Sequence, residues 1–125
     1  MMTPFRFLAA AGPLLVLVGV LGFFLIGPTP ERSVLGSAWW FGTLENWVHI
    51  FAGVLALLAA YFFDKDLMRY AVMAGGVAAV LLGLYGLLIS ERLLGMDLEN
   101  PADTVLHFVL GIWALASARR PGETA

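Results

Sequence analysis

Two histidines, each preceded by a carboxylate four residues earlier, are the residues of this chain best suited to chemistry. The first pair is Glu45 with His49, and the second, displaced by 58 positions, is Asp103 with His107. Four residues make slightly more than one helical turn, so in a helix each carboxylate lies on the same face as its histidine. Imidazole with carboxylate is a donor set that binds divalent metals, and imidazole alone is an axial ligand of haem iron.

Both pairs continue along the same helix face into small residues with identical spacing. These residues are Gly53, Ala56 and Ala60 in the first column and Gly111, Ala114 and Ala118 in the second. Small residues allow helices to approach closely in lipid, so the columns are predicted to pack against other helices. A stripe with four-residue spacing between the two columns is predicted to do the same, and consists of Ala71, Gly75, Ala79 and Gly83.

The composition is that of an integral membrane protein. Of the 125 residues, 61% are hydrophobic and only 13% are charged, and the mean hydropathy is +0.89. Apolar segments lie at about 7–27, 44–63, 69–90 and 102–118. Each is close to the length of about 20 residues that a membrane-spanning helix requires. We therefore predict one all-α domain over residues 1–125, an antiparallel bundle of four transmembrane helices.

An internal repeat is indicated by a second similarity, between the first and third apolar segments. Gly19-Val20-Leu21-Gly22 resembles Gly83-Leu84-Tyr85-Gly86 at a displacement of 64 positions. Together with the two columns, this similarity predicts two repeated helical hairpins, at about 7–63 and 69–118. Units with an even number of spans keep the same orientation in the membrane, unlike the inverted repeats of many transporters.

The distribution of basic residues predicts the orientation. Five of the seven fall near the termini and in the turn between the two hairpins, namely Arg6, Lys65, Arg69, Arg119 and Arg120. The positive-inside rule then places both termini in the cytoplasm. The polar ends of both columns would lie near the outer surface, where Glu45, Asn46, His49, Asp103 and His107 are predicted to form a cluster.

The residues around the histidines resemble a known family. Asn46-Trp47-Val48-His49 followed by Gly53, and Asp103-Thr104-Val105-Leu106-His107 followed by Gly111, are similar to the two motifs of the DUF4383 family. Its members are small four-span membrane proteins of bacteria and archaea. The resemblance covers nearly the whole chain and implies the same fold in a bacterial or archaeal cell (inner) membrane. Thr104 departs from the pattern, since Asn often follows the Asp. The family has no assigned function, so no activity is implied.

Several roles remain open for the histidines. In a structural role, each ring would bond to a carboxylate or loop carbonyl and fix the outer loops. In a cofactor-binding role, His49 and His107 would ligate haem b or a bacteriochlorophyll-like pigment. In a third role, Glu45, His49, Asp103 and His107 would bind a divalent metal.

The remaining function classes are narrowed by what the sequence lacks. There is no cysteine, no basic run suited to nucleic acid, and no phosphate-binding loop or activated nucleophile. No charged residue interrupts the interior of an apolar segment, which disfavours an ion transporter. We therefore expect a protein without catalytic activity, acting as a structural or accessory subunit whose partners are the lipid bilayer and other membrane subunits.

Overall fold

Four α-helices make up most of the computed structural model, which describes residues 3–93, 96–98 and 102–119. They are α1 (Pro4–Phe24), α2 (Thr43–Phe62), α3 (Lys65–Leu88) and α4 (Ala102–Ser117). Between α1 and α2 lie two 3-10 helices, Pro30–Arg32 and Gly36–Ala38. Between α3 and α4, strands β1 (Arg92–Leu93) and β2 (Met96–Asp97) pair antiparallel, Arg92 opposite Asp97 and Leu93 opposite Met96. The predicted all-helical class is confirmed.

Local hydrogen bonds explain where the helices begin and end. Thr3 precedes Pro4 and accepts from the backbone N–H of Arg6 through its hydroxyl, which caps α1. The Asp64 carboxylate caps α3 by accepting from the Leu67 N–H at 2.8 Å. At the C-terminal end of α4, Arg69 Nε donates to the Ala118 carbonyl at 2.7 Å. A cation there also opposes the negative end of the helix dipole.

Among the residues that the structure describes, three helices are long and apolar enough to cross a membrane. α1, α2 and α3 contain 21, 20 and 24 residues. α4 is also apolar but has 16 residues, about 24 Å at 1.5 Å per residue, less than the roughly 30 Å of a bilayer core. Large apolar side chains are exposed on all four helices, among them Leu17, Phe51, Leu81 and Ile112.

Glycines bring the backbones of α1 and α2 into contact. A Cβ atom added at Gly12 would lie 3.1 Å from the Gly53 carbonyl oxygen, and one at Gly53 would lie 2.5 Å from the Gly12 oxygen. Further along α1, a Cβ at Gly19 would meet Ile50 at 2.6 Å, and one at Gly22 would collide with the Asn46 side chain. As the contacts advance along α1, they therefore move back towards the start of α2.

The contacts between α3 and α4 involve residues displaced from these by 64 and 58 positions. A Cβ at Gly76 would lie 3.1 Å from the Gly111 carbonyl oxygen, and one at Gly111 would lie 2.9 Å from the Gly76 oxygen. The neighbouring side chains match as well. Leu57 lies against Gly12 as Leu115 lies against Gly76, and Val16 lies against Gly53 as Val80 lies against Gly111.

The apolar core shared by all four helices lies where α1 and α3 begin and α2 and α4 end, which we call the terminal end. It contains Phe7, Leu8, Ala11, Ala59, Ala60, Met68, Val72, Ala114 and Ala118. The rings of Phe7 and Trp113 meet edge to face at 4.7 Å. The alanines of the predicted columns thus lie in or against this core, with Ala56 partly buried beside it.

The predicted small-residue stripe on α3 requires a correction. Ala79 is buried and Gly83 faces the Phe108 ring, but Gly75 is exposed and a Cβ there would have no atom within 4 Å. The prediction that Gly75 packs against another helix is therefore wrong for this chain, and Gly76 makes the contact instead. A stripe with four-residue spacing turns by about 40° per step around a helix with 3.6 residues per turn, so it cannot follow one neighbour.

Gly53 and Gly75 offer a matched pair of substitutions. We expect Gly53→Ala to destabilise the protein by about 1–3 kcal/mol, because the new methyl group is forced against the α1 backbone. Gly75→Ala should leave stability unchanged or raise it, since its methyl group enters open space. Thermal unfolding in a mild detergent, followed by circular dichroism, measures both. Equal losses in the two variants would contradict the glycine contact.

Candidate functional site

The two predicted motifs meet in one small cavity at the end opposite the apolar core, which we call the motif end. α2 contributes Glu45 and His49 to its lining, and α4 contributes Asp103 and His107. The volume is about 50 Å³, and Phe41 and Leu98 are among the apolar residues that complete the wall. The four titratable side chains therefore come from both helix pairs but line one small cavity.

Burial of this cluster is nearly complete at the carboxylates. Glu45 is 5% exposed, Asp103 is 2% exposed, and both lie in the first turn of their helices. The positive end of a helix dipole stabilises a carboxylate at that position. Burying such a group still costs free energy unless hydrogen bonds or opposite charges compensate, so the surroundings of each carboxylate decide whether the site is stable.

Asp103 accepts a hydrogen bond from a residue that the sequence does not connect to it. Trp39, in the loop before α2, donates its indole N–H to Asp103 Oδ1 at 2.8 Å. The loop holds Trp39 in place, because Ser33 Oγ donates to the Trp39 carbonyl at 2.7 Å and the two rings of Trp39 and Phe41 meet at 5.4 Å. Sequence analysis missed this role, and no spacing rule would reveal a contact across 64 residues.

Each of the two histidine rings has one nitrogen without a hydrogen bond. The Nδ1 atoms of His49 and His107 are buried and have no hydrogen-bond partner. The carboxylate-to-histidine bond that the four-residue spacing suggests is therefore not made through these atoms. The His49 ring instead packs edge to face on Phe41, with centroids 5.1 Å apart. Two imidazole nitrogens are thus left with unused hydrogen-bonding or ligating capacity.

Asn46 belongs to the cluster by position but faces α1. It is fully buried, its Nδ2 makes a long hydrogen bond of 3.5 Å to the Phe41 carbonyl, and its Oδ1 has no partner. The side chain fills the space left by Gly22. In the other helix pair, Thr104 occupies the corresponding place, 3.6 Å from a Cβ added at Gly86. The departure from Asn thus puts a shorter side chain against the corresponding glycine.

The family membership that these motifs suggest is confirmed by a family model. The family model described as "Domain of unknown function (DUF4383)" matches residues 6–120, a range that includes both histidines and both glycine contacts. The chain belongs to the DUF4383 family. The predicted resemblance is confirmed. No curated protein and no solved structure matches the chain.

The cavity of this DUF4383 chain is small. About 50 Å³ accommodates a water-sized guest, whereas pockets for organic ligands usually measure roughly 300–1,000 Å³. A haem or pigment between His49 and His107 would therefore require the helices to separate. Within residues 3–93, 96–98 and 102–119, no three His, Cys, Asp or Glu side chains lie in an arrangement that could hold a metal ion. Cofactor and metal binding by these residues stay predictions.

Trp39 and Asp103 should be energetically coupled through their hydrogen bond. We expect Trp39→Phe and Asp103→Asn to be non-additive by about 1 kcal/mol, since each removes or weakens the same bond. A double-mutant cycle of thermal stability in detergent measures this coupling energy. Trp40→Phe, combined with Asp103→Asn, is the control and should be additive. Additivity in the Trp39 cycle would show that the bond contributes nothing.

Proposed function

We propose that the protein is a structural or accessory subunit of a larger membrane complex and has no catalytic activity. In this proposal its fold is an antiparallel bundle of four membrane-spanning helices, built from two repeated hairpins. The observation that carries the proposal is the convergence of both motifs in one cavity. Side chains of α2 and α4 meet there, and a loop of the first hairpin bonds to Asp103 of the second.

The matched glycine contacts support the repeated hairpins. Gly12 with Gly53 and Gly76 with Gly111 bring helix backbones equally close, and the neighbouring valines and leucines correspond as well. Random packing of apolar helices would not be expected to reproduce these contacts at fixed displacements. A duplicated hairpin accounts for them in the simplest way.

The short α4 is compatible with a fourth span. A helix shorter than the bilayer core is accommodated by local thinning or by polar side chains that reach the interface. Asp103 lies in its first turn and is bonded to Trp39, and Trp is enriched at membrane interfaces. The proposal therefore places the motif end of α4 just below the interface.

A structural role for the histidines makes a direct prediction. The variant with both His49→Ala and His107→Ala should lose thermal stability and assembly, because it leaves a larger void between the buried carboxylates. It should show no change in absorption spectrum or metal content. Thermal unfolding, native gel electrophoresis of detergent-solubilised membranes and metal analysis measure these properties. Migration of the unaltered protein as a lone 13.5 kDa chain would contradict the accessory role.

The second candidate function is binding of haem b, a bacteriochlorophyll-like pigment or a divalent metal at His49 and His107. The two buried, unpartnered Nδ1 atoms favour it, because each has ligating capacity that no protein group uses. The absorption spectrum of protein purified from its native membrane tests the coloured cofactors. A Soret or far-red band lost in His49→Ala or His107→Ala would support ligation. A spectrum with only the tryptophan and tyrosine band would exclude haem and pigment as cofactors.

The proposed orientation has both termini in the cytoplasm of a bacterial or archaeal cell. Its support is the set of basic residues on the terminal end, although Arg120 lies outside the described residues. Since the chain has no cysteine, single substitutions give clean labels at two exposed positions. Ser37→Cys should react with a membrane-impermeant maleimide in intact cells, and Asp66→Cys only after permeabilisation. The reverse labelling pattern would show that both termini lie outside the cell.

A further inference from the structure

We propose that the loop between α1 and α2 is a latch that controls access to the two histidines. The loop reaches from the first helix pair to the second, where the Trp39 indole N–H is bonded to Asp103 Oδ1 at 2.8 Å. When this bond breaks, the motif end can open and expose the imidazoles. Because all of its parts lie within one chain, the latch does not require the accessory role proposed above.

The loop is fixed to the first helix pair by its own backbone. The Val34 N–H donates to the Leu25 carbonyl and the Phe41 N–H donates to the Ile26 carbonyl, each at 2.8 Å. Both acceptors directly follow the last residue of α1. The indole that extends from this loop therefore moves with the first pair, whereas the carboxylate that it binds belongs to α4 in the second.

The same loop contributes to the wall of the histidine site. Phe41 is 1% exposed and lines the cavity together with both histidines, and its ring meets the His49 ring at 5.1 Å. Trp39 packs against Phe41 in turn. The Nδ1 atoms of His49 and His107 are buried. We therefore expect that a reagent larger than water reaches these rings more readily once the loop and α4 have moved apart.

The terminal end is held in a different way. All four helices contribute apolar side chains to the core there, and the rings of Phe7 and Trp113 meet across the two pairs. Proteins open locally where few buried apolar contacts hold an element in place. The motif end contains the cavity and joins the pairs through a polar bond, so it is the end expected to open first.

Chemical modification of the histidines tests the latch, because the chain has only two and both line the cavity. Diethyl pyrocarbonate acylates accessible imidazole nitrogens, and ultraviolet absorbance follows the rate for the protein in a mild detergent. Trp39→Phe should raise this rate by about five- to tenfold, which is the effect of one lost hydrogen bond on an opening equilibrium. Trp40→Phe is the matched control and should leave the rate unchanged.

A second reporter separates opening of the motif end from loss of the whole fold. Ala60 is 5% exposed and lies in the apolar core of the terminal end. Because the chain has no cysteine, Ala60→Cys introduces a single thiol at that position. Its rate of reaction with methyl methanethiosulfonate should be the same with and without Trp39→Phe, since the latch acts at the opposite end.

Any of three results would overturn the latch. An unchanged rate of histidine modification in Trp39→Phe would show that the bond does not keep the motif end closed. Equal acceleration at the histidines and at Ala60→Cys would show that Trp39 stabilises the whole fold instead. Asp66→His adds an imidazole at an exposed position of α3, and this ring should react faster than the other two. Equal rates for all three rings would show that the native histidines are not covered.

Discussion

Close approach of helix backbones at two pairs of glycines is the constraint on which this structure depends. In lipid the helices gain little from hydrophobic burial against one another, so association relies on packing and hydrogen bonds. Gly12 with Gly53 and Gly76 with Gly111 allow this packing at the middle of each helix pair. Because the contacts are equivalent, α2 and α4 present their first turns at the same end of the bundle, and the polar motifs are positioned together.

That arrangement buries titratable groups at the motif end, and the free energy cost of their burial has to be compensated. Two nearly buried carboxylates share a small cavity with two imidazoles, and none of the described residues that line it is Lys or Arg. The helix dipoles and the Trp39 indole supply part of the compensation. The core at the terminal end has no such burial cost, since it is made of apolar side chains. The bundle therefore has one end stabilised by packing of apolar side chains and another end stabilised by polar interactions.

The sequence predicts the parts of this structure that depend on periodicity. The helices, the buried alanines and the shared position of the two histidine motifs follow from spacing and from low charge. Contacts that depend on loop geometry were not predictable, and the Trp39–Asp103 bond is the clearest case. The placement of Gly75 failed for a different reason, because a stripe with four-residue spacing drifts around the helix. The unpartnered Nδ1 atoms depend on ring orientations, which spacing alone does not determine.

The connection between α2 and α3 consists only of Phe63 and Asp64, and it joins the helix pairs at the end where they also share their apolar core. Two residues give little slack, so the pairs cannot slide past each other or part at that end without breaking the core. A short connection of this kind restricts sliding of the helix pairs more than it restricts rotation about the connection. The cavity at the far end would widen while the glycine contacts within each pair stayed intact. Such a widening would break the Trp39–Asp103 hydrogen bond between the pairs but would leave the glycine packing within each pair in place.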